Sequence, residues 1–107
     1  MLKPLLLTLG ICFTAILLNA QTGAVTGKVT DQKTGEALMG VVVMVDSTSN
    51  GAVTDADGLY RIEDVKYGTV KLVFKFISYA TKQATVNVNA PEVRLDMPMA
   101  TEEKKLN

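Results

Sequence analysis

The sequence has no histidine, no tryptophan and a single cysteine among its 107 residues. Histidine is the one side chain whose ordinary pKa lies near neutrality. Its absence excludes Ser-His and Cys-His nucleophilic catalysis, histidine-ligated zinc and histidine-ligated haem. A charge excess is missing too. Eleven Lys and Arg balance eleven Asp and Glu, so the chain offers no broad electrostatic footprint for nucleic acid. The length allows one domain, since compact domains typically run about 100–150 residues.

One long uncharged stretch is present, at residues 5–18, after a start that carries Lys3. A basic start, an apolar run of this length and a small residue at the end describe a secretory signal peptide. We read residues 1–20 as that leader, with cleavage between Ala20 and Gln21. The run is shorter than the ~20 apolar residues that cross a bilayer, so the mature chain is expected to have no transmembrane helix. Cys12 could be read as a lipid-acylated cysteine, but bulky Ile11 precedes it and only half an apolar run lies upstream; it reads as one more apolar residue. Residues 21–107 then hold no cysteine, and an exported chain without disulfides must stand on its hydrophobic core.

Beyond residue 21 the hydrophobic pattern has period two, which means strands. Val25, Gly27 and Val29 alternate with polar residues, as do Ala84, Val86 and Val88, then Val93, Leu95 and Met97, while Val70, Leu72, Phe74 and Phe76 alternate with Lys71, Val73, Lys75 and Ile77. Residues 41–45 are apolar on both faces, as for a strand covered on both sides. Short pieces at 52–54 and 59–62 bring the count to seven. Turn chemistry separates them: a polar loop ending in Gly35, the pair Asn50-Gly51 (a signal for a tight hairpin), Asp55-Ala56-Asp57-Gly58, the Gly68 turn and Ala90-Pro91. The expected fold is all-β, a small seven-stranded antiparallel sandwich over residues 21–98. Residues 99–107, rich in charge, are expected to be a polar linker.

Few residues invite chemistry. Asp55 and Asp57 followed by Gly58 resemble the first half of a calcium loop, but the twelfth position is Lys66 where a bidentate Glu is required. They read as an Asx-type turn with Gly58 at positive φ, and as weak metal candidates only. Ser47, Ser49 and Ser78 have no histidine to activate them. Phe74, Phe76, Tyr60 and Tyr79 could form a stacking platform, but Phe74 and Phe76 share the inward phase of their strand and read as core. No cofactor is expected, and no enzyme.

The segments 27–31, 34–38 and 40–43, the run Thr54-Asp55-Ala56-Asp57-Gly58-Leu59-Tyr60-Arg61-Ile62, and the stretches 68–74 and 77–79 together resemble the carboxypeptidase-regulatory-like domain. That resemblance implies a transthyretin-like sandwich and an accessory role without bond chemistry. It also implies attachment at the N-terminus of a TonB-dependent outer-membrane receptor of the SusC/RagA or a related type, with this sequence a fragment of it. The implied partners are the plug and barrel of that receptor, with the TonB system or a partner lipoprotein as further candidates. The implied location is the periplasmic face of the outer membrane. A free-standing secreted module that binds carbohydrate or protein is the alternative.

Overall fold

The computed structural model describes residues 21–102; the leader, its cleavage position after Ala20 and Cys12 lie outside them. Eight strands are formed: β1 (Thr22–Asp31), β2 (Val42–Val45), β3 (Gly51–Val53), β4 (Leu59–Lys66), β5 (Gly68–Lys75), β6 (Lys82–Val88), β7 (Glu92–Arg94) and β8 (Met97–Met99). They make two sheets. In the first, β1 is central, with β4 on one side and β7 and β8 on the other; in the second the order is β3-β2-β5-β6.

The core lies between the sheets and follows the period-two pattern. Val25, Val29 and Ile62 from the first sheet face Val43, Leu72 and Phe74 from the second, all fully buried. Each such side chain contributes roughly 1.5–3 kcal/mol of transfer free energy. The rings of Tyr60 and Phe74 meet edge to face, with centroids 5.8 Å apart at 80°, and join the two layers. Phe76 lies beyond the end of β5, half-buried against the core, with its ring 5.3 Å from that of Tyr79. The aromatics are therefore spent on packing rather than on an open platform.

Four expectations need correction. The stretch 93–97 is not one strand. Chain crossing at Ala90-Pro91 brings it alongside β1, where β7 pairs with residues 24–26 and β8 with residues 29–31, both parallel to β1. The first sheet is thus mixed, and among the described residues the strands number eight rather than seven. Between β7 and β8 the backbone dips toward Gly27: a Cβ there would sit 1.8 Å from the Leu95 carbonyl oxygen. Leu95 N–H donates to Thr26 (2.7 Å), and the Asp96 carboxylate accepts the Lys28 N–H (2.8 Å) in place of a backbone carbonyl.

The domain does not stop at 98. Met99 is fully buried, Ala100 accepts a hydrogen bond from Ala80 N–H, and Thr101 bridges Tyr79. The apolar side chain of Met99 and its backbone pairing outweigh the polar character of the sequence that follows.

Asn50-Gly51 is not the centre of a tight hairpin. β2 and β3 pair from Met44↔Gly51 outward across a longer loop, and the residue there at positive φ is Ser47, at 65°. Gly51 is required for space: a Cβ would lie 2.4 Å from the Val43 carbonyl oxygen, and 2.3 Å from the more mobile Met44 sulfur. Asn50 instead donates its side-chain N–H to the Glu63 carbonyl (2.7 Å).

Finally, β2 is not covered on both sides. Val42 is 39% exposed and Met44 half-buried on the outer face.

Candidate interaction surface

The residues singled out for chemistry are placed first by the segment that joins β3 to β4. Thr54 is buried between the sheets. Its hydroxyl accepts the Val41 N–H (2.9 Å) and donates to the Leu38 carbonyl (2.6 Å). Asp55 closes the next turn on itself: its Oδ1 accepts the N–H of Asp57 (2.9 Å) and of Leu59 (3.0 Å), while its carbonyl accepts the Gly58 N–H. Gly58 has φ +77°, and its carbonyl accepts the Val29 N–H at 2.8 Å. Tyr60 then enters the core and donates its hydroxyl to the Leu95 carbonyl. Burial, with Asp96 adding to it, pushes that hydroxyl well above the usual tyrosine range, so it stays a donor.

Among the described residues, every polar side chain of the run 54–60 except that of Asp57 is thus hydrogen-bonded within the fold. Replacing Thr54 by valine keeps its shape and leaves one buried N–H and one carbonyl unpaired. We expect a loss of about 2 kcal/mol, read as a lowered denaturation midpoint; an unchanged midpoint would show that these bonds do not matter.

Asp55 has its Oδ1 occupied by amides, and Asp57 is exposed. Among the described residues, no group of three or more Asp, Glu, Cys or His could hold a metal ion. Adding millimolar calcium should leave the melting temperature within about 1 °C, whereas a cation held by the folded state alone would raise it by several degrees.

A second polar cluster marks the end of the sandwich where the described chain finishes. The Tyr79 hydroxyl donates to Asp31 Oδ2 at 2.6 Å, and Asp31 Oδ1 accepts the N–H groups of Lys33 and Thr34. These bonds, Tyr79's first, hold the Asp31 carboxyl below its ordinary pKa and raise the Tyr79 hydroxyl. Gly35, at φ +76°, completes the loop, and Ser78, at φ 65°, accepts the Glu102 N–H through its carbonyl. Beside them Ile77 is 83% exposed. Ser78 gave no local signal in the sequence, because its role is set by a backbone bond from Glu102, 24 positions further on. At the opposite end Gly68, at φ +121°, opens β5 directly after β4. There a groove of about 390 Å³ is rimmed by Asp46, Asp64, Lys66 and Lys71 over Val45 and Val65.

The outer faces of the two sheets differ. On the first, Arg61 bridges Glu63 and Glu92, and Arg94 pairs with Asp96. On the second, register places Val53 beside Val42 and Met44 beside Val73, with Lys75 and Gln83 at the margin. A shallow depression of about 670 Å³ runs over Val42, Met44 and Val73. What this molecule presents is therefore sheet: one charge-laced face, one face with an apolar patch at Val42, Met44, Val53 and Val73, and the strand edges.

The family model described as the CarboxypepD_reg-like domain matches residues 25–107. The chain belongs to this family. Its curated relatives include two TonB-dependent receptors of Formosa agariphila. One is 31% identical over 78 residues, 73% of this chain, and the other 39% identical over 74 residues, 69% of this chain. In each case the match spans only 7% of the receptor's length. Among solved structures, the CarboxypepD_reg-like domain resembles a chain of a mutant type II cohesin–X–dockerin complex from Acetivibrio cellulolyticus (27% identity, TM-score 0.61, 73% of this chain and 56% of that one). It also resembles the group B streptococcus pilus 2b backbone protein (19% identity, TM-score 0.55, 76% and 42%). These likenesses concern the sandwich. Domains of this kind occur within TonB-dependent receptors, and among the described residues no helix is long and apolar enough to cross a membrane.

Proposed function

We propose that this CarboxypepD_reg-like domain is a non-catalytic part of a TonB-dependent outer-membrane receptor that imports a nutrient such as a glycan or a metal chelate. It would lie on the periplasmic face after removal of residues 1–20, and the chain would continue beyond Asn107 into a plug and barrel. The domain acts by contact: it presents rigid sheet surface and positions the segment that follows it for the TonB system. The plug and barrel of the same receptor are its first partners, and a partner lipoprotein is a further one.

The observation that carries this reading is the similarity to receptors over about 70% of the chain. Two features support it. The absence of histidine removes the usual general base, and the polar residues of the run 54–60 are largely committed to turns and core. Reading the gene past codon 107 tests it: the expected result is an open frame encoding a plug and barrel, and a genuine stop with no receptor-like continuation would overturn it.

A further inference from the structure

A sheet edge exposes unpaired backbone donors and acceptors, and stable monomers blunt such edges with short strands, charge, proline or irregular backbone. Three of the four edges here are blunted. β3 has three residues. β4 carries Arg61, Glu63, Asp64 and Lys66, is broken by Asp64 at φ 56°, and has its Glu63 carbonyl capped by Asn50. The β7–β8 edge is split at Leu95-Asp96, and β8 contains Pro98.

β6 has only one of these devices, the charge of Lys82 at its first position. It runs seven residues in unbroken register against β5, from Phe74↔Lys82 to Gly68↔Val88, and contains neither proline nor glycine nor any charge after Lys82. Among the described residues no strand lies beyond it. Ala84 and Val86, on its core-facing side, remain half-buried, so the core is unfinished along this edge.

We propose that β6 pairs antiparallel with β6 of a second copy about a two-fold axis at Thr85, joining the two second sheets into one of eight strands. The strand is complementary to itself in that register. Ala84 faces the second copy's Val86 and completes the half-buried row, while Gln83 faces Asn87 across the outer side. Lys82 faces Val88, which keeps the two lysines six residues apart along the ladder, about 20 Å and beyond the screening length of ordinary salt. The other faces offer no such match: the first sheet would set its exposed charges against their own copies. One strand pair buries little surface, so the dimer is weak in solution and gains from tethering of both copies at one membrane. In that setting two receptors would be coupled through their periplasmic domains.

The sandwich holds its own core and strand pairings within residues 21–102, so the chain from Gln21 to Asn107 is the material for the test. Sedimentation equilibrium between ~10 µM and ~1 mM, a range that reads weak association, should show the mass rising from one chain toward two. Amide exchange in β6 should slow over the same range. Thr85 is exposed, so Thr85→Lys and Thr85→Glu should keep the native unfolding midpoint. Each alone should stay monomeric, and an equimolar mixture should recover the dimer. A native chain monomeric at ~1 mM would overturn the proposal, as would a dimer indifferent to both substitutions or exchange protection confined to another strand. The inference rests on the contact-only reading above, but not on receptor attachment: a monomeric sandwich would end it and leave the receptor assignment standing. A stop codon after residue 107 would do the reverse.

Discussion

Replacing Gly27 by alanine should destabilise the domain by about 3–5 kcal/mol, although the change adds one methyl group. That methyl would lie 1.8 Å from the Leu95 carbonyl oxygen and 2.8 Å from the Tyr60 ring. Both neighbours are held: Leu95 by its bond to Thr26, and Tyr60 by Phe74 and by its own bond to Leu95. Neither can retreat without opening the junction of β7 and β8 with β1, so several buried bonds are lost together. The strand Thr22–Asp31 tolerates parallel neighbours because it has no side chain at this point. Gly35→Ala provides the control. A Cβ at Gly35 meets nothing within 4 Å, so only the cost of φ +76° remains, about 1 kcal/mol. Equal midpoint shifts for the two variants, by urea denaturation, would refute the close approach.

Gly58→Val should cost about 4 kcal/mol, because two effects act at one residue. The left-handed φ of +77° disfavours a β-branched side chain, and the new Cβ would lie 2.6 Å from the Val29 carbonyl oxygen and 3.1 Å from Ala37. Asn at the same position tolerates the backbone angle but not the space. Gly58→Asn should therefore recover only part of the loss, and full recovery would mean that the angle alone matters. Both measurements bear on function as well as on folding. They ask whether the run that marks the family is held in place by architecture, which is what the bonds of Thr54, Asp55 and Tyr60 indicate.

What could be read from the sequence were the features set by near neighbours. The alternation in 68–75 and 82–88 shows which residues face the core, since a strand's two faces are fixed by its own pleat. Features set by distant neighbours were hidden. Asn50-Gly51 carries the local chemistry of a tight turn, yet Gly51 is there because the β2 backbone at Val43 and Met44 leaves no room for a Cβ. The stretch 93–97 looks like one strand until β1 is laid beside it, with Gly27 opposite its middle. Met99 is hidden by the polar residues after it, although it closes the core. The candidate surface divides in the same way. Freedom from charge after Lys82 is visible in the letters, whereas the position of β6 at an edge belongs to the topology.

The proposed function makes this sandwich one part of a far larger outer-membrane receptor. Fractionating the source cells and probing with an antibody raised against residues 21–102 tests it most directly. The expected result is a single species in the outer-membrane fraction, many times the 11.5 kDa of this chain. A small soluble species of about that size, in the periplasm or the medium, would contradict it.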